Sequence, residues 1–342
     1  MKNRIVELER FIACCIIFFY HCGGHFGSGW IVVEFFFLLT GYFATQHYET
    51  HKLEAREDMG WYPIRYTFKK FLTLIPYTAA GTLLVWGWKI YSEGIGGRNL
   101  LKWILCLPAD LSLTAGAGLP GMGQAITDGF YTTRMIDVHL WYINCMLFVL
   151  PVFMYLLYQE KLRGILCTIV PTLLYGLLIM ADGTVNGWHH AKYGILQCDM
   201  RALAGLLLGA GAWHFSRFLK SRQWTKLQRV LFTVVELGIG LLAVGIAEFA
   251  TIHYDALVIL LFFLLVSITT SAVSYTSRLN FRVFEWLGKL ALPVYCLQMG
   301  FLLILDGKFT KHSALITFAV TIAASVMLQG VIYMFRKKLH KI

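Results

Sequence analysis

The chain has 342 residues, of which 58% are hydrophobic and only 14% charged, whereas soluble domains run at about 45–50% and about 25%. Its mean hydropathy is +0.63 and its apolar residues come in long runs, which excludes an ordinary soluble globule, because helices apolar on every side belong in a bilayer. The formal net charge of +11 is dispersed between the apolar runs rather than gathered in a basic domain with exposed aromatics, which argues for a membrane partner and against nucleic acid.

Roughly 20 mostly apolar residues cross about 30 Å of hydrocarbon. Spans are expected at 5–22, 30–48, 71–91, 137–158, 164–181, 197–215, 229–250, 254–274, 287–305 and 313–334. The expected fold is all-α, a polytopic transmembrane helix bundle of about ten spans in a single domain over 1–342. The first run, Phe11 to Tyr20, is followed by His21-Cys22-Gly23-Gly24-His25 and lacks a small-x-small cleavage pattern, so it reads as a retained span. The apolar stretch 100–115 is short and interrupted by Pro108; it reads as re-entrant or interfacial, or as a further crossing that would make eleven. Charge favours ten. With a cytoplasmic N-terminus, 21 Lys and Arg fall on the inner side and 8 on the outer, both termini being cytoplasmic. Residues 116–137, with Gly116, Gly118, Pro120, Gly121 and Gly123, are expected to form a surface loop over the outer mouth of the bundle.

Ionisable side chains inside spans cost about 2.5–3.5 kcal/mol or more, so each is a candidate site. Arg10 and His21 are eleven residues apart, which returns to nearly the same helix face about 16 Å further along. Glu7 lies one turn from Arg10 and is placed to pair with it. Two readings stand for each: Arg10 snorkels to the cytoplasmic interface or binds a ligand, and His21 caps the helix end or acts as a base. Glu34 enters the second span among Ile31, Val32, Val33, Phe35, Phe36 and Phe37, where it either orients the His21 imidazole or makes a structural interhelical bond. His21 and His25 have a metal-like spacing, but the glycines between them oppose a regular helix, and no metal is expected. Asp137, His139 and Trp141 open the fourth span, and Asp199 and Arg201 open the sixth. Trp188-His189-His190 is expected in an outer loop. The eight dispersed cysteines suit apolar packing rather than a disulfide framework.

These residues match a family pattern. Arg10-x10-His21, followed by Ile31-Val-Val-Glu34-Phe-Phe-Phe-Leu-Leu-Thr40-Gly41-Tyr-Phe43, resembles the opening of acyltransferase family 3, polytopic membrane O-acyltransferases. His139-Leu-Trp141-Tyr-Ile, Arg201 through Gly209, Leu287 through Gln298, and Lys70-x5-Pro76 resemble later elements of the family. Two departures stand out. The second basic residue of the Arg-x-x-Arg element falls at Thr73, and the family's late histidine is Gln298, which does not titrate.

The resemblance implies transfer of an acyl group, usually acetyl, from cytoplasmic acyl-CoA to a hydroxyl of a surface glycan, lipid-linked sugar or cell-wall sugar, in a bacterial cytoplasmic membrane. It implies catalysis by His21 with Glu34 holding its tautomer, donor binding by Arg10, Arg65, Lys69 and Lys70, and substrate binding by His139, Trp141 and Arg201. The alternatives are a transporter using Arg10, Glu34 and His21 as a proton or anion relay, and a non-catalytic sensor or scaffold.

Overall fold

The structure is a computed structural model that describes residues 3–23, 25–115, 124–127, 130–133, 136–188, 190–192, 194–250, 253–305 and 313–339. Its helices are α1 (Arg4–Cys22), α2 (Val33–Thr50), α3 (Lys52–Glu57), α4 (Tyr62–Ser92), α5 (Gly97–Leu111), α6 (Trp141–Leu156), α7 (Val170–Asp182), α8 (Gln197–Ser221), α9 (Lys226–Phe249), α10 (Asp255–Ser271), α11 (Arg282–Leu305) and α12 (Ser313–Leu339). Short 3-10 turns lead into α2 and α6, and a π-helical turn leads into α7. Two small hairpins, Gln124–Thr127 with Phe130–Thr133 and Ala191–Lys192 with Ile195–Leu196, complete the described secondary structure.

Each predicted span is occupied by a helix. Seven helical segments among the described residues are long and apolar enough to cross a membrane. The other three expected spans are α1 and α8, which carry charged residues, and α10, which is apolar but has 17 residues. The protein is therefore an all-α, multi-pass membrane protein.

Local chemistry sets the helix ends. The Asn3 side chain accepts from the Ile5 amide to open α1, and Gly23, with φ near +74°, ends it. Thr225 and Gln228 close a reciprocal capping box on α9. Helix α4 begins nine residues before its predicted span, since Pro63 sits harmlessly in the first turn and the Arg65, Lys69 and Lys70 side chains continue a helix readily. Its 31 residues extend about 46 Å, longer than the hydrocarbon, so its basic first turns project beyond it. Helix α5 covers the 100–115 stretch and, at 15 residues, is too short to cross alone. Most of the predicted outer loop, residues 116–123, 128–129 and 134–135, lies outside the described residues, as does His189. All eight cysteines are free.

Packing depends on close helix approaches at glycine. A Cβ on Gly41 of α2 would overlap the Leu206 carbonyl of α8, one on Gly209 the Leu38 carbonyl of α2, and one on Gly205 the Phe37 side chain. Likewise Gly81 of α4 lies against the Cys296 carbonyl of α11, Gly300 against Leu84, and Gly288 against Glu7 of α1. In a bilayer, where lipid is as apolar as a leucine side chain, such backbone approach is a principal source of helix association. Helices α2, α6 and α8 form the buried centre, while α7, α9 and α12 present broad apolar faces outward.

Substituting Gly41 or Gly209 with Val is expected to destabilise the protein by at least ~1–3 kcal/mol through overpacking. Gly87→Ala in α4, where an added methyl meets nothing, is expected to be neutral or stabilising by up to ~1 kcal/mol. Thermal unfolding in detergent distinguishes them, and equal behaviour would refute the close-seam account.

Candidate active site

His21 is exposed in the last turn of α1. Its ring centroid is 6.3 Å from that of His139, edge to face. The two histidines have different surroundings. His139 is buried, with Nδ1 at 2.5 Å from Asp137 Oδ1 and Nε2 at 2.6 Å from the Tyr295 carbonyl oxygen. The Tyr295 hydroxyl returns a hydrogen bond to the His139 carbonyl. A carboxylate and a carbonyl both accept, so both ring nitrogens of His139 must be donors. With Asp137 ionised, His139 is an imidazolium held against it, clasping the start of α6 to α11. His139 was expected to bind substrate; its two nitrogens are instead committed within the protein.

Glu34 takes the second of its two expected arrangements, a structural interhelical bond. It is fully buried in the first turn of α2, where one oxygen accepts from Arg201 Nε at 2.7 Å and the other from the Tyr175 hydroxyl at 2.5 Å. The glycine seam brings α8 close enough for Arg201 to reach it. Arg201 also donates from Nη1 to the Gly187 carbonyl at 2.9 Å, and its guanidinium carbon lies 4.7 Å from the Trp141 ring centre and 5.7 Å from that of Trp30. Glu34 is therefore Arg201's partner, not the orienting group of His21, and Arg201 serves an ion pair rather than an open substrate surface. Trp141 stacks on this guanidinium and lies parallel to Trp188, with ring centres 6.4 Å apart. The carboxylate–imidazole pairing expected of Glu34 and His21 occurs instead between Asp137 and His139.

Below the histidines, a cavity of about 280 Å³ lies among α1, α2, α4, α6 and α11. Its polar lining is Arg10, Thr40, Lys70, Tyr142 and Tyr295. Arg10 and Lys70 thus share one cavity, with Arg10 donating to Glu7 at 2.8 Å and Lys70 Nζ lying 5.4 Å from the Tyr66 ring centre. Tyr295 is common to the cavity and the His139 clasp, so the cavity reaches the histidine layer. Arg65 and Lys69 do not line it. Arg65 pairs with Asp58, and Lys69 is exposed on the face of α4. Thr73 donates its hydroxyl to the Lys69 carbonyl at 2.9 Å, while Arg336 of α12 reaches the Thr73 carbonyl at 3.5 Å. A guanidinium from another helix therefore stands beside the position where the sequence pattern led to a second basic residue.

Sequence reasoning missed Asp137, Tyr295 and Tyr175 as partners. Asp137 had a signal, the Asp-x-His spacing across a 3-10 turn. Tyr175 had none, since α7 meets Glu34 only through tertiary packing.

Breaking a buried ion pair from one side costs about 3–5 kcal/mol, whereas replacing both members by apolar groups of similar volume is often close to neutral. Glu34→Ala and Arg201→Ala are each expected to lose that amount of stability. The double substitution Glu34→Leu with Arg201→Met is expected to recover most of it, as read by thermal unfolding. Single variants as stable as the parent would show that the pair contributes little.

The family model described as an acyltransferase domain matches residues 3–334. No curated protein matches the chain, and no solved structure does. The helical membrane architecture, the Arg10–His21 span and this match over nearly the whole length lead to one assignment: the chain belongs to acyltransferase family 3, the membrane acyltransferases.

Proposed function

We propose that the protein is an O-acyltransferase, most simply an O-acetyltransferase, carrying an acyl group from cytoplasmic acyl-CoA to a hydroxyl of a surface glycan, lipid-linked sugar or cell-wall sugar. The observation that carries this reading is the cavity, with Arg10 and Lys70 in its lining and Tyr295 of the histidine clasp lining it too. In this reading the chain crosses the bacterial cytoplasmic membrane ten times with both termini inside, as the distribution of Lys and Arg favours. CoA is strongly anionic and is attracted by Lys70 in the cavity lining, with Lys69 next to it in sequence and Arg336 of α12 beside Thr73. A second cavity of about 580 Å³ has acidic Glu7 and Glu49 beside Arg217 and Lys220, a mixed lining less suited to a polyanion.

Arg10 then binds polar groups of the donor arm. His21 takes the proton from the acceptor hydroxyl as its oxygen bonds to the thioester carbonyl carbon. The carbon–sulfur bond breaks, and the departing thiolate receives the proton from His21. His139, fixed as a cation near His21, favours the negative charge that develops on the carbonyl oxygen. Glu34 takes no part in proton transfer. Its engagement by Arg201 and Tyr175 also removes the middle member of the relay that a transporter would need.

Three outcomes test the reading. His21→Ala is expected to abolish acyl transfer while protein remains in the membrane, measured by mass spectrometry of surface glycans alongside immunoblotting; normal acylation would sink the assignment. Arg10→Ala is expected to raise the apparent KM for acyl-CoA roughly 10–100-fold, the scale of one lost charged hydrogen bond. An unchanged KM would remove Arg10 from donor binding. Asp137→Asn is expected to lower kcat more than KM, because it acts through His139; full kcat would show that the clasp is purely structural.

A further inference from the structure

Attack on a thioester puts negative charge on its carbonyl oxygen, and in a mostly apolar cavity that oxygen needs a hydrogen-bond donor. His139 acts on it only through space, because its two ring nitrogens are engaged by Asp137 Oδ1 and the Tyr295 carbonyl oxygen. The lining of the 280 Å³ cavity supplies a donor that the mechanism so far leaves unused.

Two helices give this cavity its direction. Helix α1 contributes Arg10 at one end and Ile17, one turn before His21, at the other. Helix α6 contributes Tyr142, Met146 and Leu150 at successive turns, and it starts beside His139. Arg10 therefore shares an end with Leu150, and Tyr142 shares the histidine end with Ile17 and Tyr295. Neither cation of the lining reaches that end. Arg10 is eleven residues from His21, about 16 Å along the helix. Lys70 is eleven residues before Gly81, which lies against the Cys296 carbonyl next to Tyr295, so it is displaced by about the same 16 Å.

Three hydroxyls line the histidine end, and two have their protons engaged. Tyr295 donates to the His139 carbonyl, and Thr40 donates to the Phe36 carbonyl at 2.8 Å. The third belongs to Tyr142, whose Oη lies 3.5 Å from Thr40 Oγ1. With its own proton on Phe36, Thr40 can only accept from Tyr142, and 3.5 Å is the outer limit of a hydrogen bond. Tyr142 thus keeps a donor for a group in the cavity. Its ring is fixed by neighbours, with centroids 4.7 Å from Phe37 and 6.1 Å from both Phe36 and Tyr295, the last edge-on at 83°. A donor held in place before reaction stabilises developing charge without reorganising.

We infer that Tyr142 is a further catalytic residue, its hydroxyl donating a hydrogen bond to the carbonyl oxygen of the donor thioester. This role rests on the acyltransferase reading above. As the acceptor oxygen bonds to the carbonyl carbon, the carbonyl π pair moves onto the carbonyl oxygen, where the Tyr142 hydroxyl meets it. Tyr142 keeps its proton throughout. The pair returns to the carbon as the carbon–sulfur bond breaks, and the thiolate takes its proton from His21. Tyr142 thereby lowers the barrier and leaves the stoichiometry unchanged.

The test reads the hydrogen bond without turnover. The purified full-length parent and Tyr142→Phe are each mixed with an acetyl-CoA analogue in which a methylene replaces the sulfur, a ketone that cannot transfer its acyl group. Its carbonyl carries carbon-13, and isotope-edited infrared spectroscopy records the bound carbonyl stretch. Both proteins are expected to bind it, with the stretch at lower wavenumber in the parent, because a hydrogen bond weakens the carbonyl. In turnover with acetyl-CoA, Tyr142→Phe is expected to lower kcat about 10²–10³-fold, the scale of one lost oxyanion donor, with KM and the melting temperature close to the parent's. Tyr142→Leu, which also lacks the hydroxyl, is the second variant should Tyr142→Phe fail to fold. An equal stretch in parent and variant, or an unchanged kcat, would overturn the role of Tyr142 and leave the donor reading intact. Failure of the parent to bind the analogue would overturn the donor reading and this role with it. A shifted stretch in a parent that acylates no glycan would support the Tyr142 contact and overturn the glycan acceptor.

Discussion

The buried contact between Glu34 and Arg201 organises one end of this bundle. An ion pair inside a membrane protein is costly to desolvate and persists only when its remaining lone pairs and protons are met. Here Tyr175 takes the second carboxylate oxygen, the Gly187 carbonyl takes another guanidinium proton, and Trp141 covers the guanidinium face. One interaction thereby ties α2, α7, α8, Gly187 and the start of α6. It is possible only because Gly41, Gly205 and Gly209 let α2 and α8 approach at backbone distance. The seam and the pair depend on each other: wider spacing would leave a carboxylate alone in an apolar interior.

The same rigidity separates the two histidines. His139 lies inside, with both nitrogens bonded and Tyr295 closing the clasp from α11. His21 lies at the end of α1, exposed and beyond any such clasp. A fixed cation beside an accessible imidazole is a sensible arrangement for acyl transfer, since the base must exchange protons while the charge that helps it must not move. Tyr295 serves two functions by position alone, lining the cavity on one side and holding the histidine on the other. Any movement of α11 would therefore alter the cavity and the histidine clasp together.

Much of the architecture was legible in the sequence. Apolar runs of bilayer length placed the ten helical segments, because in hydrocarbon the backbone must satisfy itself and a helix is the local solution. Boundaries shifted where local chemistry overrode hydropathy, as in α4, whose basic first turns remain helical although too polar to cross. The Arg10–His21 spacing was equally legible, since helical geometry alone assigns two residues of one span to a common face. Glu34 was recognised as significant, with an interhelical bond weighed beside the His21 pairing, but Arg201 was not named as its partner. A carboxylate one turn into a hairpin has a histidine as its nearest ionisable neighbour in sequence, whereas its neighbour in space comes from a helix 167 residues away.

From its own residues, then, the sequence determined the helices, the membrane environment and the two ends of the α1 stripe, all of which follow from periodicity, length and local spacing. Tertiary structure alone decided the pairings: Arg201 with Glu34, Asp137 with His139, Arg10 and Lys70 around one cavity, and Arg336 beside Thr73. The reason is physical. A helix is specified by contacts within a few residues, but which charged side chain meets which depends on how closely helices dock, and in a bilayer that is set by small residues and mutual hydrogen bonding rather than by hydrophobicity.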